Sequence, residues 1–294
     1  MRAVSSANPA SSTPAAARPG PADGPAAGPR RAPGLTTLVI ANQKGGVGKS
    51  TTACHAAFYF AEQRRIDPGS SAGRPGRVAF ISCEVQKNSS NTLKKTYGTA
   101  NVRADAFFKS EPFDVVPTGA ITVYEGGPFM ADIERAQGTH FKAQVARIAP
   151  HFDYCIIDTP PSVGVLQVAA LSAADFVLSP IEMDEYSMEG VVDMLRTIIG
   201  VKDRFNPSLV FLGMLPCRLQ NTSPRQKAAL ANLLTHYSKY VFGLAEGLKT
   251  SVRQSIPEAL AQGVPVWQLK SSGAREAGAE MLAIMRLLER EMEK

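Results

Sequence analysis

A glycine-rich segment between an apolar run and a helix-forming run is the feature that most constrains this chain. Residues 35–42 read LTTLVIAN, the β-branched and apolar composition of a buried strand. The chain then continues as QKGGVGKSTT, in which three glycines precede a lysine and a row of hydroxyl side chains. A strand, a glycine-rich loop and a helix in this order predict a loop whose backbone N–H groups face an anion at the helix N-terminus.

The composition of this loop indicates which anion it binds. Its end matches the phosphate-loop pattern G-x-x-x-x-G-K-[ST], although Gln43 stands where the first glycine is usual. In that pattern the lysine, here Lys49, reaches the β- and γ-phosphates, and the hydroxyl of Ser50 is a ligand of Mg²⁺. We therefore expect ATP and Mg²⁺ as cofactors. The predicted nucleotide-binding residues are Lys44, Gly45, Gly46, Val47, Gly48, Lys49, Ser50 and Thr51.

The rest of the chain alternates between short apolar runs and helical patterns. Further strands are predicted for RVAFIS, FDVVP, YCIIDTP, DFVLSP and LVFLGML, and helices for about 49–64, 141–149, 188–204 and 225–237. Near-continuous apolar strands that alternate with helices predict an α/β fold, a doubly wound, mostly parallel sheet with helices on both faces.

Composition divides the chain into two parts. Residues 1–34 are rich in alanine, proline, glycine and serine, so we predict a disordered tail, followed by one α/β domain over 35–294. No run of about 18 apolar residues is present, which predicts no membrane span. The four cysteines lie far apart without a Cys-x-x-Cys pair, a pattern that favours a reducing cytoplasm over a disulfide framework or a metal cluster.

With KGGVGKST, the chain resembles the deviant phosphate-loop ATPases of the ParA/MinD type and is closest to ParA. The resemblance continues at YCIIDTPPSVG, where Asp158 matches the family's second acidic motif. It implies that Asp158 orients Mg²⁺ and that the extra lysine, Lys44, reaches the phosphates bound by the other subunit of an ATP-dependent homodimer. A cation supplied in this way stabilises transition-state charge, as an arginine finger does.

The chain departs from the ParA pattern after its second strand. Family members usually carry Asp-x-Asp-Pro-Gln-Gly-Asn there, whereas this chain reads SCEVQKN, with Ser82 and Glu84 at the two aspartate positions. Glutamate can position the attacking water, but its extra methylene displaces the carboxylate, and a misplacement of about 1 Å can cost about 10²-fold in rate. We therefore expect slow ATP hydrolysis, with Lys44, Lys49, Glu84 and Asp158 as the catalytic residues. An ATP-gated scaffold that does not hydrolyse ATP is the alternative.

Basic residues near the C-terminus resemble the ParA segment that binds DNA without sequence preference. Arg253 matches that segment best, and Lys249, Lys270 and Arg275 extend the predicted patch. The resemblance implies a function in plasmid or chromosome partition. Its implied partners are nonspecific double-stranded DNA and a ParB-like centromere-binding protein that stimulates hydrolysis. It also implies a cytoplasmic protein that associates with the nucleoid. An accessory ATPase of conjugative DNA transfer is an alternative. The three glutamates of the terminal LLEREMEK argue against a membrane-binding helix.

Overall fold

The computed structural model describes residues 34–66, 73–183, 188–220, 222–251 and 253–294. The tail predicted for residues 1–34 therefore lies outside the described residues, apart from its last one. Among the described residues, no helix is both long and apolar enough to cross a membrane.

A seven-stranded sheet, parallel throughout, forms the centre of the protein. Its spatial order is β5-β6-β4-β7-β1-β8-β9. The strands are β1 (Thr36–Ile40), β4 (Val78–Ser82), β5 (Gly98–Thr99), β6 (Ile121–Tyr124), β7 (Tyr154–Asp158), β8 (Phe176–Glu182) and β9 (Val210–Cys217). A separate antiparallel pair consists of β2 (Arg64–Ile66) and β3 (Gly73–Pro75). The predicted doubly wound parallel sheet is confirmed.

Helices cover both faces of the sheet because successive strand residues point to opposite sides. In β1, Leu38 and Ile40 belong to the apolar layer that includes residues of α1, α7 and α8, whereas Val39 belongs to the layer that includes residues of α3, α4 and α5. The helices are α1 (Lys49–Glu62), α2 (Asn88–Leu93), α3 (Phe141–Ile148), α4 (Val165–Ala173), α5 (Met188–Arg204), α6 (Pro224–Tyr237), α7 (Ser255–Gln262) and α8 (Ser272–Met292). The two apolar layers are the core of the protein.

Strand register brings three strand ends to one level at the centre of the sheet. Asp158 of β7 is level with Ile40 of β1 on one side and with Ser82 of β4 on the other. The loop after β1, the segment after β4 and the end of β7 therefore meet at the carboxyl edge of the sheet. Sheets of this class bind ligands at such an edge.

One predicted strand is wrong. The run FDVVP, residues 113–117, is irregular, and the strand at that place in the fold is β6, which reads ITVY. Val116 is 50% exposed, whereas a strand inside this sheet is buried on both faces. All four residues of β6 are buried. Helix α1 also ends two residues earlier than predicted, because the chain enters β2 at Arg64.

Candidate nucleotide-binding site

The glycine-rich loop connects β1 to α1 as predicted, and two of its glycines have a backbone that other residues rarely adopt. Gly46 has a φ of 78° and Gly48 a φ of 100°, both in the left-handed region. Side chains at the start of the loop attach it to neighbouring elements. Asn42 donates to the carbonyl of Pro180 on β8 at 2.9 Å, and Gln43 donates to Thr197 Oγ1 on α5 at 2.8 Å. These contacts anchor the start of the loop to β8 and α5.

The side chain of Lys49 contacts the backbone of Lys44, the other lysine of the loop. Lys49 is 5% exposed, and its Nζ donates to the carbonyl oxygen of Lys44 at 2.7 Å. Burial lowers the pKa of Lys49, while the nearby carboxylates of Asp158 and Glu84 act in the opposite direction. The backbone N–H of Lys44 donates to Asn42 Oδ1 at 2.9 Å. Lys49 therefore lies inside the loop, within the electrostatic influence of both acids.

Asp158 has the environment of a metal ligand. It is fully buried, and neither of its carboxylate oxygens has a well-formed hydrogen bond. Burial raises its pKa to about 6, opposed by the nearby hydroxyls of Ser89 and Ser50 and by the Lys49 ammonium. A buried carboxylate that is only weakly hydrogen-bonded is costly unless a cation is supplied. A carboxylate and a hydroxyl at one point form an oxygen ligand set that fits Mg²⁺.

Glu84 is the second acid of the site. It is 9% exposed, and burial raises its pKa to about 7, helped by the charge of Asp158 and opposed by Lys49. Gly126, after β6, packs directly beneath it. A Cβ atom at Gly126 would lie 2.4 Å from the carbonyl oxygen of Glu84 and 2.5 Å from that of Ser82. The glycine therefore permits the close packing that places Glu84 at the site.

A cavity that the sequence did not predict opens beside the loop. The cavity has a volume of about 340 Å³ and lies between Gly46 and Gly48 on one side and α7 and α8 on the other. Arg218, the first residue after β9, lies on its wall with Thr250, Ser251 and Arg253. The only sequence signal for Arg218 is its position directly after an apolar strand, at the carboxyl edge of the sheet.

The four predicted DNA-binding residues lie in two different environments. Arg253 lines the cavity and pairs with two carboxylates of α8, with Nη1 2.7 Å from Glu276 Oε2 and Nη2 3.4 Å from Glu280 Oε1. Lys270 and Arg275 are exposed around the start of α8, and Lys249 is half-buried. In this structure Arg253 is therefore bound to α8, and its contact with DNA stays a prediction.

His55 of α1 is a structural residue. It is fully buried, its Nδ1 lies 2.8 Å from the carbonyl oxygen of Thr51, and its Nε2 accepts from the Val266 N–H at 3.2 Å. The first contact requires a proton on Nδ1 and the second a bare Nε2. The neutral ring thus connects the helix after the phosphate loop to the C-terminal part of the fold.

We expect His55 to make the protein less stable in acid. Burial lowers its pKa from 6.5 to about 4, partly offset by its hydrogen bond to Thr51. Between these values the unfolded chain takes up a proton that the native protein refuses. The stability that His55 contributes should thus fall as the pH drops below 6.5, by about 1.4 kcal/mol per pH unit, whereas Glu84 and Asp158, whose pKa values are raised, act in the opposite direction. The loss should level off below about pH 4, near a total of about 3 kcal/mol.

Urea unfolding of wild type and His55→Gln at pH 7.5, 6 and 5 measures this effect. The variant should be less stable at pH 7.5, and the difference in free energy of unfolding between wild type and variant should shrink toward pH 5. His236→Gln, which changes an exposed ring on α6, is the control and should keep the wild-type slope. Equal slopes for wild type and His55→Gln would contradict this account of His55.

Sequence comparison finds the family to which the chain is related. A family model described as "AAA domain" matches residues 35–211. The chain is 39% identical over 270 residues to Protein IncC of Escherichia coli, covering 85% of this chain and 68% of IncC. It is 28% identical over 256 residues to the chromosome partitioning protein ParA of Caulobacter vibrioides, covering 82% of this chain and 90% of that protein.

Structure comparison finds the same fold in proteins of low sequence identity. An ATP complex of a single-substitution variant of Cyanothece McdA superimposes with a TM-score of 0.70 at 19% identity, covering 87% of this chain and 96% of McdA. At that identity the match supports the fold alone. Together, the family model, the sequence relatives and the McdA structure cover nearly all of residues 35–294.

Proposed function

Since this chain belongs to the ParA/MinD-type family of phosphate-loop ATPases, we propose that it binds and slowly hydrolyses Mg²⁺·ATP to drive DNA partition. The convergence of three groups at the carboxyl edge of the sheet carries this proposal. Lys49, Asp158 and Glu84 come from three segments that are distant in sequence, and each has a pKa shifted by burial and by the charge of at least one of the other two. Titratable groups coupled in this way are typical of catalytic sites.

Each of these groups has a distinct role in the proposed reaction. The loop amides and the Lys49 ammonium hold the phosphates, so Lys49 must exchange its contact with the Lys44 carbonyl for the nucleotide. Glu84, with a pKa of about 7, is well matched to orient the attacking water and accept its proton near neutral pH. Asp158 and Ser50 would hold Mg²⁺, which neutralises phosphate charge when bound.

We propose that the active form is a homodimer in which each phosphate site is completed by Lys44 of the second subunit. The support is the family resemblance and the position of Lys44, half-buried in the loop that forms the site. A lysine that acts only across the interface makes dimerisation depend on bound ATP. The same arrangement delays hydrolysis until the dimer has formed.

We propose that the dimer binds double-stranded DNA and that a ParB-like protein is its partner. The support is the sequence relationship to a chromosome partitioning protein, together with the exposed cations Lys270 and Arg275. Contacts to phosphates would bind duplex DNA without sequence preference and would weaken with salt. Arg253 would join these contacts only after leaving Glu276 and Glu280, so its ion pairs would restrain DNA binding.

This restraint predicts that Glu276→Gln binds DNA more tightly than wild type. The substitution removes the shorter of Arg253's two ion pairs on a side chain that is 63% exposed. Exposed pairs are worth about 0.2–1 kcal/mol, so affinity for nonspecific duplex should rise by up to about fivefold at low salt. Fluorescence anisotropy with a labelled duplex, ATP and increasing salt measures both the affinity and its salt dependence.

Two further variants make this test specific. Glu291→Gln makes the same charge change at the far end of α8, beside Lys294, and should leave the affinity near wild type. Arg253→Ala should weaken binding and reduce the salt slope by about 0.9, the amount for one phosphate contact. Equal gains in Glu276→Gln and Glu291→Gln, or unchanged binding by Arg253→Ala, would exclude Arg253 from the DNA surface. No DNA binding by wild type with ATP would contradict the proposed function in DNA partition.

A further inference from the structure

Two non-glycine residues in the described part of the chain have a left-handed backbone, and one of them lies beside the phosphate loop. They are Lys87, with a φ of 59°, and Arg218, with a φ of 56°. Residues other than glycine rarely adopt this backbone conformation. It persists where the surrounding structure enforces it, often at functional sites. Glycine would adopt this conformation without strain. We therefore expect the arginine at position 218 to make contacts that glycine could not make.

The contacts of Arg218 direct its guanidinium at the loop. Its backbone N–H donates to Thr250 Oγ1 at 3.1 Å, which holds the strained residue in place. Its Nη1 donates to the carbonyl oxygen of Gly46 at 3.0 Å and lies 3.4 Å from Glu182 at the end of β8. Strands β8 and β9 thus support a single contact to the middle of the loop.

That contact determines how one loop peptide is turned. A peptide unit is planar and trans, so the carbonyl of Gly46 and the N–H of Val47 point in opposite directions. An arginine that holds the Gly46 carbonyl therefore directs the Val47 N–H away from itself. Gly46, with its φ of 78°, has no side chain to fix this orientation. The arginine supplies a constraint that the loop lacks.

We infer that Arg218 is a positioning residue that sets the Gly46–Val47 peptide for phosphate binding through its hydrogen bond to the Gly46 carbonyl. The inference rests on the proposed nucleotide-binding function and adds a residue from outside the loop to it. Glu182 contacts the same guanidinium nitrogen, Nη1, and helps to hold it. The orientation of this peptide affects how well the phosphates bind, and binding precedes hydrolysis. Loss of Arg218 should therefore weaken nucleotide binding and leave the rate of the hydrolysis step unchanged.

Arg218→Gly tests this inference because glycine fits the local backbone. The Thr250 contact uses the backbone N–H and is kept, so the melting temperature should stay within about 3 °C of wild type. Titration with fluorescent N-methylanthraniloyl ADP and ATP should show affinities that are weaker by about tenfold, by a similar factor for both nucleotides. At saturating ATP, kcat should equal that of wild type, so the whole effect appears in KM.

Lys87→Gly is the matched control, since it makes the same backbone change at the other left-handed residue and should alter nucleotide affinity less than twofold. Three results would overturn the inference: an Arg218→Gly affinity within twofold of wild type, a lower kcat with unchanged KM, or an equal loss in Lys87→Gly. Wild-type protein that binds neither nucleotide would instead refute the proposed function itself, and the role of Arg218 with it.

Discussion

Glu84→Gln is expected to slow ATP hydrolysis by about 10²- to 10⁴-fold while ATP binding is retained. Glutamine keeps the size of the side chain and removes the carboxylate that accepts a proton. The loop amides, Lys49 and Asp158 remain to hold the nucleotide. Because Glu84 and Asp158 repel each other electrostatically, the substitution also relieves a cost of burial. Single-turnover hydrolysis and a nucleotide titration, measured on the same preparation, separate the two properties.

The control for Glu84→Gln is Glu125→Gln, which removes a carboxylate that pairs with Lys94 just after β6. We expect near-normal hydrolysis there. Glu84→Asp tests the explanation for slow turnover, because aspartate shortens the side chain by one methylene. An Asp variant faster than wild type would support it. Hydrolysis by Glu84→Gln at the wild-type rate would remove Glu84 from the catalytic residues.

Lys44→Ala should lower hydrolysis by at least about 10³-fold, the range known for cations supplied across an interface. Binding of ATP to the monomer should survive, because the two contacts described for Lys44 inside the loop use its backbone N–H and carbonyl. The variant should stay monomeric with ATP, which sedimentation velocity measures. A variant that dimerises and hydrolyses ATP as wild type does would refute the role of Lys44.

Mixing two inactive variants distinguishes action in trans from action within one subunit. A Lys44→Ala subunit keeps its own Lys49, and a Lys49→Ala subunit can offer Lys44 to it. If Lys44 acts across the interface, the mixed dimer contains one complete site and hydrolysis returns. If Lys44 acts in its own subunit, every site in the mixture lacks a lysine and no activity appears. Return of activity on mixing is the expected result.

The parts of the site that the sequence predicted are those encoded locally. A strand, a glycine-rich loop and a helix follow one another without interruption, so the positions of Gly48 and Lys49 depend on few distant contacts. Asp158 was likewise predictable because it ends an apolar run. Parallel strands place their carboxyl ends at one edge, and this rule is enough to bring Asp158 and the loop together.

The parts that the sequence did not predict depend on long-range packing. Arg253 was assigned to a DNA surface by its resemblance, yet its ion pairs with Glu276 and Glu280 come from a helix more than 20 residues later. The contact of Arg218 with Gly46 spans 172 residues. The choice of ITVY over FDVVP as a strand was also tertiary, because burial against both apolar layers decides it.

Steady-state ATP hydrolysis, with and without nonspecific duplex DNA, tests the central claim most directly. Lys49→Ala is the blank, since it removes the lysine that the site buries against its two acids. The account predicts slow phosphate release by the wild-type protein, an increase with DNA, and no release above background in the blank. Phosphate release by wild type equal to that of Lys49→Ala, in the presence of Mg²⁺ and DNA, would contradict it.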